Sequence, residues 1–100
     1  MEFLVKFEVE IPDGTPEAEV EPRLRAEAAA AAELADEGHL VRLWRRPLFG
    51  DGSTAIGLYR ADSEAQLDSL RSELPLAEWL HVTVTPLEPH PNDPPPAARR

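Results

Sequence analysis

Apolar and charged residues alternate over the first eleven residues of the chain. Apolar side chains recur at every second position from Phe3 to Ile11, and Lys6, Glu8 and Glu10 stand between them. Because successive side chains of a strand point to opposite faces, this period predicts a half-buried β-strand. One face of that strand is expected to lie under helices, and the other is expected to carry the charges.

The segment that follows has the composition of a helix. Residues 16–37 are rich in alanine, glutamate and arginine, and they end before Gly38, the residue type that commonly follows a helix. Proline disrupts a helix interior, so Pro22 leaves open whether the regular helix begins only at that residue. We therefore predict one long helix after the first strand.

Two further strands and a second helix are predicted next. Alternating runs over residues 39–49 and 54–61 flank a turn rich in glycine and aspartate, which indicates a β-hairpin. Residues 62–74 place Ser63 three positions before Gln66, the spacing of a capping box at a helix start. Leucines recur behind this start at helical intervals, so a second helix is expected here.

The last part of the chain changes character at Pro86. Apolar residues alternate with His81 and threonines over residues 80–85, which predicts a fourth strand. From Pro86 onward six of the fifteen residues are proline, and no regular structure is expected because proline lacks the backbone donor. The expected organisation is one domain over residues 1–88 and a proline-rich C-terminal tail over residues 89–100.

The resulting order, βαββαβ, is that of the ferredoxin-like fold. This α+β fold has a four-stranded antiparallel sheet with two helices on one face. Side-chain alternation predicts the following residues under the helices: Phe3, Val5, Phe7, Val9, Val41, Leu43, Ile56, Leu58, Val82 and Val84. The opposite face is expected to carry Lys6, Glu8, Arg42, Trp44, Tyr59, His81 and Thr83. The pattern leaves open whether that face is solvated, pairs with a second subunit or encloses a ligand.

The charge balance argues against one class of partner. The chain has 10 basic and 19 acidic residues, a net charge of -9, and a surface of this sign repels the phosphate backbone of nucleic acids. The chain has no cysteine, and its three histidines lack a short ligand spacing, so no metal site is expected. The N-terminal segment resembles neither a signal peptide nor a membrane span, so no membrane partner and a cytoplasmic location are expected.

Glu27 is the candidate for chemistry on the first helix. At about 100° per residue, it falls inside the apolar arc of that helix and should be partly buried. Burial raises the pKa of a carboxyl and a nearby cation lowers it, so this group could be tuned for proton transfer. The alternative is a surface ion pair with Arg23 one turn away, which is worth less than about 1 kcal/mol.

Cationic and aromatic side chains gather on the face predicted to point away from the helices. Lys6 and Arg42 could hold a carboxylate, which arginine binds in a planar, bidentate geometry, or they could pair with Glu8. Trp44 could form an apolar wall for a small ring or fill a subunit interface. His81 could relay protons or make an ordinary hydrogen bond.

Five segments of the chain carry a family resemblance. They are the start MEFLVKFEVEIP, the acidic helix with Glu27 ahead of EG, LWR at residues 43–45, LDSLRSELPL, and the closing PHP at residues 89–91. In order and spacing they resemble the muconolactone Δ-isomerases, small bacterial enzymes of catechol degradation. The resemblance implies the ferredoxin-like fold, sheet-to-sheet pairing of subunits into a dimeric α+β barrel, and a homo-oligomer that is a dimer or as large as a decamer.

The resemblance also implies a reaction without cofactor or metal. A proton moves within a small anionic lactone, so that muconolactone becomes 3-oxoadipate enol-lactone, and Glu27 would be the base and proton carrier. The implied site is a catalytic pair and a substrate-binding set: Glu27 and Lys6, with Arg42, Trp44, Arg45, Tyr59 and His81. Arg45 shares the strand register of Leu43 and is therefore expected on the helix side of the sheet.

Other functions remain open on the same residues. One is a non-catalytic oligomeric domain that binds a small anion on its sheet face. Another is a related enzyme of the dimeric α+β barrel group, a chloromuconolactone dehalogenase or a cofactor-free monooxygenase. Turnover of muconolactone would separate the isomerase from both.

Overall fold

The predicted order of elements is confirmed in a computed structural model, which describes residues 1–46 and 54–95. The elements are β1 (Glu2–Val9), α1 (Glu17–Asp36), β2 (Leu40–Arg45), β3 (Thr54–Arg60), α2 (Glu64–Ser72) and β4 (Leu80–Leu87). The strands form one antiparallel sheet in the order β2-β3-β1-β4. The part of the predicted second strand beyond Arg46 lies outside the described residues.

Helix α1 begins before its proline and ends where the glycine predicts. It starts at Glu17, so Pro22 lies inside the helix rather than at its start. At the other end Gly38 has φ 82°, the left-handed conformation that glycine adopts without strain. The N–H groups of Gly38 and His39 donate to the carbonyls of Ala35 and Leu34, which closes the helix in a Schellman motif.

Helix α2 begins at the predicted cap. The Ser63 hydroxyl accepts a hydrogen bond from the Gln66 backbone N–H at 3.1 Å. The Gln66 side chain reaches back one residue further than a regular capping box and accepts from the Asp62 N–H at 2.6 Å. The cap fixes where the chain leaves the sheet and enters the helix.

The core lies between the two helices and one face of the sheet. Phe3 and Val5 are fully buried there, and Phe7 is nearly so. In the β1–β3 register Phe3 pairs with Tyr59, and directly paired residues of antiparallel strands carry their side chains on the same face. Tyr59 is therefore a core residue, with 4% of its surface exposed.

The predicted faces of β3 are consequently wrong. Ile56 and Leu58 were expected under the helices, but they lie on the opposite face, and Tyr59 was expected on that opposite face. A register shift of one residue moves every side chain of a strand to the other face. Apolar residues stand at both the odd-numbered and the even-numbered positions of β3, so the pattern of this strand alone does not decide which set faces the helices. The pairing of β3 with β1 decides it.

Strand β2 is irregular near its start. The pairing register with β3 shifts between Leu40 and Arg42, which leaves Val41 as the extra residue of a β-bulge. Leu40 is buried and Val41 is 39% exposed, so the expectation that Val41 packs under the helices is wrong. Beyond the bulge Arg42 pairs with Leu58 on the face turned from the helices.

Strand β4 runs further into the proline-rich region than predicted. Pro86 pairs with Phe3 within the strand, and β4 ends at Leu87. Because β4 is an edge strand, one side of its backbone needs no partner, which is where a sheet tolerates proline. Residues 88–95 are exposed and lie outside the sheet. No helix in residues 1–46 or 54–95 is long and apolar enough to cross a membrane.

Candidate active site

A cavity of about 280 Å³ lies between α1, the sheet and the segment that joins α2 to β4. Ten of its twelve lining residues are apolar, and the other two are Glu27 and Tyr59. Ligand sites of proteins are typically concave, mostly apolar and supplied with a few convergent polar groups. The cavity has this composition, with one carboxyl and one phenol as its ionisable groups.

Glu27 is half-buried in the cavity wall. It lies on the same side of α1 as Leu24, Ala28 and Ala31, which also line the cavity, as the helical periodicity predicts. The backbone N–H of Leu76 donates a hydrogen bond to its Oε1 at 2.9 Å. Burial raises the pKa of Glu27, and the hydrogen bond from Leu76 opposes part of that rise.

The neighbouring cation on the helix is engaged elsewhere. Arg23 forms ion pairs with Glu78 and, at 3.4 Å, with Glu19. Its guanidinium also lies 4.3 Å from the ring centroid of Trp79. The alternative in which Arg23 neutralises Glu27 is therefore not what the structure shows, and the Glu27 carboxyl faces the cavity without that cation.

Tyr59 reaches the cavity from β3. Its ring meets that of Phe7 edge-on, with the centroids 5.8 Å apart and an angle of 60° between the planes. Burial, and after it the negative charge of Glu27, raises the pKa of Tyr59 to about 12. The phenol therefore stays protonated at neutral pH and can donate a hydrogen bond inside the cavity.

Lys6 and His81 lie on the opposite face of the sheet from this cavity. Lys6 pairs in register with Ile56 and Thr83 and forms a 2.9 Å ion pair with Glu8. A hydrogen bond from Lys6 lowers the pKa of Glu8. The His81 Nε2 lies 2.5 Å from a carboxylate oxygen of Glu10. Within one chain the sheet separates these groups from Glu27, so a single chain does not bring Lys6 and Glu27 together.

The two arginines of β2 lie on different faces of the sheet. Arg42 stacks over Trp44, with its guanidinium carbon 5.0 Å from the ring centroid, and both point away from the helices. Arg45 pairs with Ala55, a residue that lines the cavity. Directly paired residues share a face, so Arg45 lies on the cavity side, as its register predicts. It is exposed, and within the described part of the chain it has no ion-pair partner.

Sequence reasoning missed two contributors to the site. One is the Leu76 backbone N–H, which cannot be predicted from residue type because almost every residue carries the same donor. The only local signal is Pro75, which indicates that helix α2 has ended before Leu76. The other is Leu43, which lines the cavity and was expected only as core.

The described residues hold no cluster of three or more histidine and acidic side chains that could bind a metal ion.

The chain is similar to known proteins over nearly its whole length. A family model described as muconolactone delta-isomerase matches residues 1–93. The muconolactone Δ-isomerase of Cupriavidus pinatubonensis is 32% identical, over 92% of this chain and 97% of that protein. Muconolactone Δ-isomerase 1 of Acinetobacter lwoffii is 33% identical, over 92% of this chain and 93% of that protein.

Solved structures agree with these relatives. A crystal structure of muconolactone isomerase superposes with a TM-score of 0.78 at 27% identity, covering 92% of this chain and 93% of that one. A dehydrochlorinase of 5-chloro-2-hydroxyhydroquinone from Burkholderia phenoliruptrix has a TM-score of 0.62 at 15% identity and covers 94% of this chain, which shows a common fold only. With its fold and its sequence in agreement, the chain belongs to the muconolactone Δ-isomerase family of enzymes.

Proposed function

We propose that this protein converts muconolactone to 3-oxoadipate enol-lactone by proton transfer, without a cofactor. The observation that carries the proposal is Glu27, a half-buried carboxyl with a raised pKa in a mostly apolar cavity. The names of the relatives supply the substrate. Their family also makes the alternative of a non-catalytic anion-binding domain the less favoured one.

The chemistry requires one base and stabilisation of one anion. The γ C–H bond of the conjugated lactone breaks as the base takes its proton, and the electron pair moves through the double bond onto the lactone carbonyl oxygen. A new C–H bond then forms at the α carbon, so that the double bond ends between the β and γ carbons. No atom is gained or lost overall, and the base regains its starting charge.

Glu27 is suited to carry this proton. A general base works best when its pKa lies near the working pH, and burial shifts the pKa of Glu27 in that direction. The Leu76 N–H holds Oε1, so that Oε2 is the oxygen presented to the substrate. The walls around Glu27 are mostly apolar, and a low local polarity strengthens electrostatic interactions with the developing anion.

Arg45 is the proposed anchor for the acetate arm of the substrate. It lies on the cavity side of β2, beside Leu43 and Ala55 of the lining. A guanidinium binds a carboxylate with two parallel hydrogen bonds, which orients a small substrate as well as holding it. The apolar wall, with Leu43 and Phe7, then takes the ring contact that the sequence suggested for Trp44.

Lys6, Arg42, Trp44 and His81 have a different role in this proposal. They lie on the sheet face turned from the helices, which in the proposal meets the same face of a second copy. That pairing would place them at an interface between subunits and away from the Glu27 of their own chain.

The experiment that tests the proposal compares turnover of muconolactone by the wild type with that by Glu27→Gln. The amide keeps the size of the side chain and can still accept from Leu76, but it cannot take a proton, so kcat should fall by at least about a hundredfold. Glu21→Gln is the matched control, because Glu21 is an exposed residue of the same helix. Equal activity of the wild type and Glu27→Gln would assign the base to another group.

A further inference from the structure

Among the residues that the structure describes, Gly57 is the one glycine within the sheet. Its backbone conformation does not require a glycine. The two described glycines with positive φ are Gly14 and Gly38, so Gly57 adopts a conformation open to any residue. A Cβ atom at this position would lie 2.6 Å from Cε1 and 3.2 Å from Cδ1 of Tyr59. Real Cβ atoms essentially never make contacts shorter than 3.0 Å, so the missing side chain leaves room for the Tyr59 ring.

The direction of that ring follows from its contacts. Tyr59 pairs in register with Phe3, but its ring meets Phe7, whose partner on β3 is Ala55. The ring therefore leans along β3 across Gly57 and toward Ala55. Phe7 and Ala55 both line the cavity, so this lean brings the phenol to the cavity wall.

The Tyr59 hydroxyl has no hydrogen-bond partner within the described part of the chain. Among the described residues, every fully buried side-chain nitrogen or oxygen has a hydrogen-bond partner. Because the Tyr59 hydroxyl has no such partner, it is not fully buried, and solvent can reach it. Glu27 lines the same cavity, and its charge acts on the phenol. A donor without a protein partner, beside a carboxyl, is available to a ligand in that space.

We infer that Gly57 and Tyr59 act as a pair, in which Gly57 is a positioning residue and the Tyr59 hydroxyl donates a hydrogen bond to the carbonyl oxygen of the bound lactone. The inference rests on the proposed function. When Glu27 takes the γ proton, negative charge develops on that oxygen, and the hydrogen bond strengthens as it does so. The phenol keeps its own proton throughout, and Glu27 returns the transferred proton to the α carbon.

Tyr59→Phe tests the donor directly, because it removes one oxygen and keeps the ring in the core. The loss of one such donor typically lowers kcat by about 10² to 10³. We expect a fall of that size with KM changed less than about threefold, since the hydrogen bond gains most of its strength in the transition state. An unchanged kcat in a wild-type background that turns over muconolactone would overturn the inference and leave the proposed function standing.

Gly57→Ala tests the positioning role. The added methyl group displaces the ring, so kcat should fall toward the value of Tyr59→Phe. In the double variant the hydroxyl is already absent, and kcat should therefore stay within about threefold of Tyr59→Phe alone. If Gly57 served packing only, the alanine would lower the midpoint of thermal unfolding in both backgrounds and leave kcat unchanged in both, which would overturn the positioning role.

A binding measurement covers the case in which the wild type does not turn over muconolactone. Tetronic acid is a five-membered lactone whose enolate is a stable anion, and it serves as the probe. Tyr59 is the only tyrosine of the chain, so a protein labelled at the tyrosine Cζ carbon gives one resonance for this ring. Tetronate should shift that resonance and bind at least about tenfold more weakly to Tyr59→Phe. If tetronate does not shift the resonance and binds the wild type and Tyr59→Phe equally well, the donor role of Tyr59 is overturned. If the wild type is inactive on muconolactone but shows both the shift and the weaker binding to Tyr59→Phe, only the proposed function is overturned.

Discussion

At the scale of single residues, Glu27 is unfavourable for stability and useful for chemistry for the same reason. Its carboxyl lies in an apolar wall, and the partner in the described chain that offsets this burial is one backbone N–H, that of Leu76. Burial raises its pKa, so the folded protein holds the proton of Glu27 more tightly than the unfolded chain does. The shift therefore makes both turnover and stability depend on pH through Glu27.

The first prediction concerns the pH dependence of turnover. A base must be deprotonated to act, so kcat/KM should rise with pH through the pKa of free-enzyme Glu27 and level off above it. Because that pKa is raised, the rise should be centred above 4.5, the ordinary value for a glutamate. A pH series of initial rates on muconolactone measures this profile. A limb centred at or below the ordinary value would contradict the raised pKa.

The second prediction concerns the free energy of unfolding of Glu27→Gln. Folding raises the pKa of this carboxyl, so burying its ionised form costs free energy. This cost is fully present at a pH above the raised pKa, and it is absent at a pH low enough to protonate the carboxyl in both states. The glutamine variant lacks this penalty, so its stability relative to the wild type should increase as the pH rises from 4 to 7. Thermal or urea unfolding at several pH values measures the difference, with Glu21→Gln, a substitution at an exposed position of the same helix, measured alongside for comparison. A difference that decreases with pH would contradict the direction of the shift.

Residue-scale features differ in how far the sequence predicts them. The spacing of about 100° per residue fixes which side of a helix a residue occupies, and it locates Glu27 on the apolar side of α1 without tertiary information. Tyr59 was assigned to the wrong face, because β3 carries apolar residues in both of its alternating sets. The Leu76 N–H could not be predicted at all, since any residue type supplies the same backbone donor.

At the scale of elements, strand β2 places its two arginines on opposite faces, and the proposed site uses only Arg45. Replacing Arg45 by glutamine should raise KM for muconolactone by about tenfold or more, because a charged hydrogen bond to the carboxylate is lost. Arg42→Gln is the matched control on the same strand, and it should leave KM within about twofold. Steady-state kinetics of the two variants decide the matter, and the reverse order of effects would place the substrate on the other face of the sheet.

The elements themselves could be predicted because their signals are local. The strand period, the Ser63 cap and the glycine after α1 each lie within a few residues of the feature that they determine. The register of β3 depends on its pairing with β1, some fifty residues away, and the bulge at Val41 depends on that register in turn. Strand β4 continued through Pro86 because it became an edge strand, which the sheet order decides and its own sequence does not.

At the scale of the whole molecule, both helices of the described residues pack on one face of the sheet, and neither covers the other face. Leu4 on the central strand β1 is 38% exposed there, and Trp44 is exposed on β2. The charged residues around them include the Lys6–Glu8 pair. We expect this face to be covered by the same face of a second copy, since apolar side chains at the centre of a polar rim are the usual composition of a subunit interface.

Sedimentation velocity tests this pairing. The wild type should sediment as a dimer or a larger oligomer, and Leu4→Glu should shift the distribution toward the monomer because it introduces a charge at the centre of the contact. Ile11→Glu is a close control, since Ile11 is 37% exposed but lies beyond the end of β1. A monomeric wild type at tens of micromolar, or equal effects of the two substitutions, would refute the sheet-to-sheet contact.

The measurement that tests the central claim most directly is proton NMR of muconolactone incubated with the purified, folded protein. Muconolactone has two olefinic ring protons, whereas the enol-lactone has one olefinic proton and a methylene group at the α carbon. We predict that the first pattern is replaced by the second with wild-type protein and Glu21→Gln, and at least about a hundredfold more slowly with Glu27→Gln. If muconolactone is converted no faster with the folded wild-type protein than without it, the account is contradicted.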